Sequence, residues 1–254
     1  MKLKDYITSI VFDGKKVLAI YLTAGFPDKK SFTKLALDIL ENGADILEIG
    51  LPFSDPLADG PIIQYSSTEA LKNKVNTLEV IKYCEEIKKY TKKPIVIMTY
   101  ANPVLAYGIN NFYKDIFNAG VDGVILPDVP LEEIKPFKSN SIDNILLAAP
   151  NSKIEKIMKI DEESKGFVYG VSVTGVTGER ENLEKIAMEN VKRLRKFIIR
   201  NKLLIGFGIK SKKTIQEFWE HCDGFIVGSA IISSLIEDNS GKKALEIVKD
   251  LKNV

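Results

Sequence analysis

Glu48 stands where a carboxylate is costly. In Ala44-Asp45-Ile46-Leu47-Glu48-Ile49-Gly50 it lies between Leu47 and Ile49, near the end of an apolar run. A carboxyl group placed there is desolvated, which raises its pKa toward the range of a general acid/base at neutral pH. The following loop reads Leu51-Pro52-Phe53-Ser54-Asp55-Pro56-Leu57-Ala58-Asp59-Gly60-Pro61. Its prolines stiffen it, and the Asp59-Gly60 turn can present a second carboxylate in wetter surroundings. One buried and one wet carboxylate suit a site where one group cycles a proton and the other holds charge. Taken alone, Asp59 is equally a turn former, and Asp55 reads as a brace for the loop. A buried ion pair is the other reading of Glu48, but the apolar runs of this chain contain no lysine or arginine to supply one.

Three further groups could serve such a site. Val173-Thr174-Gly175-Val176-Thr177-Gly178-Glu179-Arg180-Glu181-Asn182 has the glycines, hydroxyls and length of a mobile lid, or of an ordinary long connection. Gly208 and Gly228 follow the last two apolar runs, and Ser229 is placed to cap a short helix over Ala230–Ile236. Paired glycines beside a helix N-terminus form a phosphate site from backbone N–H groups alone, though each glycine also suits a tight turn. Tyr21, Tyr100 and Tyr169 fall near the ends of runs, either as core aromatics or as phenolic handles in a flat pocket for an aromatic ligand.

Composition removes competing chemistries. The chain has one histidine, His221, beside Cys222 at a helix end, where a structural role suffices. Histidine-ligated zinc is thereby excluded, and a Schiff base lacks its lysine in the apolar lining. The expectation is no metal and no cofactor. The balance of 36 basic against 34 acidic residues leaves no nucleic-acid footprint. No apolar run approaches 18 residues, so no membrane span is expected. Two cysteines, Cys84 and Cys222, read as reduced thiols of a cytoplasmic protein.

The elements that must position these groups are legible as eight short, continuously apolar runs. They are Val17–Thr23, Asp45–Gly50, Pro94–Thr99, Val121–Leu126, Asn144–Ala149, Phe167–Ser172, Leu203–Phe207 and Gly224–Gly228. Continuous apolar character indicates parallel strands buried on both faces. Amphipathic segments lie between them, including Ser31–Glu41, Leu78–Tyr90, Asn190–Arg200 and Lys212–His221, with an extra helical segment at Lys2–Ile10. Eight such units over residues 1–254 predict a single (β/α)₈ barrel domain. A doubly wound open sheet is the alternative, but Thr23-Ala24-Gly25-Phe26-Pro27 is not its phosphate loop. Three runs share a frame that begins Ala44-Asp45, Val121-Asp122 and Cys222-Asp223. Each has an Asp at the strand mouth, then apolar places, then Gly or Pro; where the second and third copies hold Ile125 and Ile226, the first holds Glu48.

The long motif Glu48-Ile49-Gly50-Leu51-Pro52-Phe53-Ser54-Asp55-Pro56-Leu57-Ala58-Asp59-Gly60-Pro61 resembles the signature of the tryptophan synthase alpha subunit family. Tyr100-Ala101-Asn102-Pro103, Leu126-Pro127-Asp128-Val129-Pro130, Gly175-Val176-Thr177-Gly178, Gly206-Phe207-Gly208-Ile209 and Val227-Gly228-Ser229-Ala230 follow in the family's order. The resemblance implies a (β/α)₈ barrel with an added N-terminal helix. It implies cofactor-free, reversible cleavage of indole-3-glycerol phosphate to indole and D-glyceraldehyde 3-phosphate. By the same resemblance, Glu48 protonates the indole carbon bearing the side chain, and Asp59 meets the indole N–H. Tyr169 stands beside the glutamate, and Thr177 is the lid threonine that engages the Asp59 loop. Gly178, Gly208, Gly228 and Ser229 match phosphate contacts; Tyr21, Met98, Tyr100, Ile125, Pro127, Leu147 and Ile209 match the indole-pocket wall. The implied partner is a PLP-dependent beta subunit, in an alpha2beta2 heterotetramer. Ala149 and Gly170 depart from the family pattern in ways that bear on pocket shape. Two other readings stay open: a stand-alone indole-releasing lyase, and a non-catalytic regulatory barrel, against which the two carboxylates count.

Overall fold

The computed structural model describes residues 2–171, 180–206, 208–209 and 211–254, with side chains of 180–183 outside that description. Eight strands close into one parallel barrel: β1 (Val17–Thr23), β2 (Ile46–Gly50), β3 (Ile95–Met98), β4 (Gly123–Ile125), β5 (Asp143–Ala148), β6 (Val168–Val171), β7 (Leu203–Gly206) and β8 (Gly224–Val227). Each strand pairs with its sequence neighbours, and β8 returns to β1 through Val17↔Gly224 and Ala19↔Ile226. The open-sheet alternative is thereby excluded. The expected runs coincide with these strands to within two residues; Ser172 and Phe207, placed at two run ends, lie outside the described residues.

Helices surround the strands: α1 (Leu3–Phe12), α2 (Phe32–Glu41), α3 (Pro61–Lys72), α4 (Thr77–Lys88), α5 (Ala101–Tyr107), α6 (Ile109–Asn118), α7 (Ile154–Glu163), α8 (Arg180–Phe197), α9 (Lys212–Phe218), α10 (Ser229–Glu237) and α11 (Lys242–Lys252). Local chemistry sets their ends. Pro61 opens α3, where its missing N–H costs nothing, and the Asn76 side chain accepts from Glu79 N at 3.1 Å to cap α4. The structure corrects one helix. The segment expected over Asn190–Arg200 starts at Arg180 and stops at Phe197. Its early turns are charged, so a buried 3.6-residue period emerges only at Ala187, Val191 and Leu194.

Two packed layers result. Between strands and helices, Leu22, Ile39, Ile97, Val124, Val191 and Phe225 belong to one large cluster. Inside the barrel, Val17, Ala19, Ile46, Val96, Ile125, Ile145, Phe167, Leu204 and Ile226 fill the lumen. Leu3 and Ile7 of α1 join the inner cluster, so this helix plugs the end where the strands begin. The chemistry is left to the other end.

The shared Asp frame has a different meaning from the one expected. Asp45, Asp122 and Asp223 lie at the starts of their strands, opposite the mouth. Each carboxylate accepts the backbone N–H of the strand before it: Leu18 N to Asp45 at 2.8 Å, Ile95 N to Asp122 at 2.9 Å, and Leu203 N to Asp223 at 2.8 Å. Each also meets a cation, from Lys252, Lys88 and Arg195 respectively. A strand-end N–H at a barrel rim needs an acceptor, and the aspartate supplies it.

Candidate active site

Glu48 lies on β2 with 2% of its surface exposed. It is in register with Tyr21 on β1 and Val96 on β3, so all three point into the lumen. Among the described residues it makes no hydrogen bond or ion pair, and none of them supplies the cation that the ion-pair reading needs. Burial pushes its pKa up to about 8, with a further push from the charge of Asp59. At neutral pH this carboxyl group is mostly protonated, as a proton donor must be.

Asp59 sits half-buried on the loop after β2. Burial lifts its pKa to about 6, against the opposing hydrogen bond from Tyr100. That bond runs from Tyr100 Oη to Asp59 Oδ2 at 2.9 Å, while the same phenol accepts from Ala58 N at 3.1 Å. Tyr100 therefore holds the loop by side chain and backbone together, and its ring stacks on Phe53 at 5.3 Å. The strand-to-helix corner at Tyr100 is itself fixed by Asp128, whose carboxylate accepts from Ala101 N at 3.0 Å. Asp55 is exposed, and its carboxylate accepts from its neighbour Ser54 Oγ at 2.5 Å.

The two remaining lumen tyrosines use glycines as notches. A Cβ on Gly50 would fall 2.5 Å from Tyr21 Cζ, and closer still to its hydroxyl. A Cβ on Gly206 would meet Tyr169 in the same way. Each ring thus lies across the end of an adjoining strand and walls the space around Glu48. We expect Gly50→Ala to expel the Tyr21 ring. The cost is about 1–3 kcal/mol of stability by overpacking, together with a loss of activity, measured by denaturant unfolding and by substrate turnover. An unchanged unfolding midpoint would contradict the notch.

The other expected residues distribute around this centre. Met98 and Leu147 are partly buried and pack on the inner cluster, with Ile125, fully buried, in register with Met98 on the neighbouring strand. Pro127 lies half-buried beyond β4 and Ile209 is buried beyond β7. Gly208 and Gly228 follow the adjacent strands β7 and β8, and Ser229 is exposed. Gly208 has φ +75° and open space where a Cβ would be, a conformation that favours glycine. One detail is corrected: Gly228 occupies the cap position of α10 and Ser229 is its first helical residue, with no side-chain cap. The strand ends at Val227, leaving one residue for the turn. The Ser229 backbone N–H still belongs to the helix start, where the dipole favours an anion. Thr177 and Gly178, with most of the lid segment, lie outside the described residues. His221 ends a 3₁₀ turn before β8, at the opposite end of the barrel.

Several site-building residues escaped the sequence reading. Ser67 donates to Phe53 O and accepts from Phe53 N at 3.1 and 3.0 Å, tying the loop's start to α3. Gln64 Nε2 donates to Asp59 O at 2.9 Å, tying its end to the same helix. Hydroxyls and amides carry no periodic signal, so only the fold reveals them.

Comparison with known proteins agrees with this geometry. The family model described as tryptophan synthase alpha chain matches residues 9–253. The tryptophan synthase alpha chain of Petrotoga mobilis is 43% identical, over 96% of this chain and 95% of its own length. That of Thermoanaerobacter pseudethanolicus is 40% identical, over 95% and 93%. Among solved structures, the tryptophan synthase alpha subunit of Legionella pneumophila superposes with TM-score 0.88 at 28% identity, covering 100% of this chain and 98% of that one. Mycobacterium tuberculosis tryptophan synthase in its aminoacrylate-bound form gives 0.87 at 31%, covering 98% and 97%. By its barrel, by the motif that carries both carboxylates and by these relatives, the chain belongs to the tryptophan synthase alpha chain family.

Proposed function

We propose that this protein cleaves indole-3-glycerol phosphate reversibly to indole and D-glyceraldehyde 3-phosphate, as the lyase component of tryptophan biosynthesis. The observation that carries the assignment of roles is a buried Glu48, without a polar partner among the described residues, beside an Asp59 anchored by Tyr100. Glu48, protonated at neutral pH, delivers its proton to the indole carbon bearing the side chain. The positive charge that results spreads to the indole nitrogen, where the Asp59 carboxylate meets the N–H. The first side-chain carbon then loses its hydroxyl proton to Glu48 and the carbon–carbon bond breaks. Its electron pair restores the aromatic indole, and the carbon leaves as an aldehyde. Glu48 ends as it began, protonated, so no other proton carrier is required.

Tyr21, Met98, Tyr100, Ile125, Pro127, Leu147 and Ile209 form the wall for the indole, with Tyr169 beside Glu48. Gly208, Gly228 and Ser229 take the phosphate through backbone N–H groups. For Gly178 as a further phosphate contact and Thr177 as the residue that engages the Asp59 loop, both outside the described residues, the support is the family resemblance. The chain works as one barrel domain in the cytoplasm, in keeping with its two buried free thiols and with the lack, among the described residues, of any helix long and apolar enough to cross a membrane. The family acts with a beta subunit. For this chain the alpha2beta2 arrangement, with indole handed to a PLP-dependent partner, belongs to the proposal. Leu57 on the mouth loop is 89% exposed and Leu105 on α5 is 53% exposed, which offers such a partner apolar contacts.

The test is an indole-release assay on indole-3-glycerol phosphate with and without a beta subunit. Indole should appear and its release should accelerate with the partner. Release without acceleration would indicate a stand-alone lyase, and no release in either arm would overturn the assignment. The dephosphorylated substrate should show a KM raised by about a hundredfold or more, since the charge-assisted phosphate contacts are gone.

A further inference from the structure

Thr23, the last residue of β1, and Ser66, in the second turn of α3, are both buried, at 1% and 0% exposure. Their hydroxyls meet at 2.6 Å in an otherwise apolar seam between strand and helix. Ser66 Oγ donates to Ile63 O at 2.8 Å. Either hydroxyl can supply the proton shared between Thr23 and Ser66, and Thr23 Oγ1 also faces the Tyr21 hydroxyl as a donor. The Tyr21 hydroxyl, 3.4 Å from Thr23 Oγ1, stands at the lumen end of this chain. An apolar contact would hold α3 to the barrel but would tolerate sliding; a short buried O–H···O bond fixes one position.

What α3 carries makes that position matter. Its cap residue, Gly60, directly follows Asp59, and its Gln64 holds the Asp59 carbonyl. Its Ser67 holds both backbone groups of Phe53. The loop bearing Asp59 is therefore fastened at both ends to one helix, and Thr23–Ser66 fastens that helix to the strand beside Glu48. We propose that Thr23 and Ser66 are positioning residues for the reaction, setting the place of the Asp59 carboxylate relative to Glu48 through α3. The proposal rests on the role assigned to Asp59 above.

The test uses the full chain with its beta subunit and reads kcat and KM for indole release. Thr23→Val and Ser66→Ala should each lower kcat about tenfold with KM nearly unchanged, as expected for a reacting group moved by a fraction of an ångström. Thr23→Ser, which keeps the hydroxyl, should stay within about twofold of the parent. In an Asp59→Asn background the same changes should add less than about twofold, because they act through the group already removed. A general loss of structural integrity would instead lower kcat equally in both backgrounds, and that result overturns the proposal. So does an unimpaired kcat in Thr23→Val and Ser66→Ala alongside an impaired Asp59→Asn enzyme. A fully active Asp59→Asn enzyme would remove the role of Asp59 itself, and this proposal with it.

Discussion

Replacing Glu48 by glutamine should lower kcat for indole release by about 10²–10⁴, the usual contribution of a positioned acid/base group, while the barrel stays folded. The amide matches the carboxyl group in size and cannot exchange the proton. The same change should stabilise the protein at alkaline pH. In the fold Glu48 holds its proton up to about pH 8, against about 4.5 for a glutamate exposed to water. Between those values the folded state binds more protons than the unfolded chain, so stability falls as pH rises. Below pH 4.5 the carboxyl group is neutral in both states and costs nothing. The glutamine variant is free of this penalty, on the order of a few kcal/mol once both states ionise. Its unfolding midpoint should exceed that of the parent at pH 8, and the two should converge toward pH 5. Retained activity would refute the acid/base role, and a midpoint difference independent of pH would refute the strained ionisation.

Asp59→Asn should lower kcat by about 10²–10³, the range seen when one group stabilising transition-state charge is removed. It should also change the pH profile. Activity requires Asp59 ionised and Glu48 protonated. With the first raised to about 6 and the second to about 8, kcat/KM should rise through pH 6 and fall through pH 8. The two carboxyls repel each other, so these limbs belong to the pair. In Asp59→Asn the acid limb should vanish. The alkaline limb should move to lower pH, because the charge that helped hold the proton on Glu48 is gone. An unaltered bell in the asparagine enzyme would mean that Asp59 does not titrate in the reaction.

The barrel was legible because strands buried on both faces must be apolar throughout, and eight such runs cannot be hidden. Glu48 was legible for the same reason, as the carboxylate in a frame whose other copies hold Ile125 and Ile226. The loop carboxylate was visible through its turn chemistry. What escaped was whatever depends on partners distant in sequence. The aspartates of the shared frame looked like mouth residues until their bonds to the preceding strand were seen. α3 gave little helical signal because its buried face carries Ser66 and Ser67 beside Ile63 and Ala70. The anchoring of Asp59 by Tyr100 joins residues 41 apart, a distance no local pattern encodes.

Those aspartates also bear on how the chain assembles as it leaves the ribosome. Asp45 and Asp122 each reach back 27 residues, and Asp223 reaches back 20, to the strand just made. Closing so short a span costs little entropy, so neighbouring strands can pair early in synthesis. The ring is another matter. Val17 N donates to the backbone carbonyl of Asp223, 3.1 Å away, at the start of the last strand. Until that segment emerges, β1 presents an unpaired edge, the kind of surface through which nascent sheets associate with one another. A single residue thus fastens the final local pair by its carboxylate and, by its carbonyl, ends the exposure of the first strand.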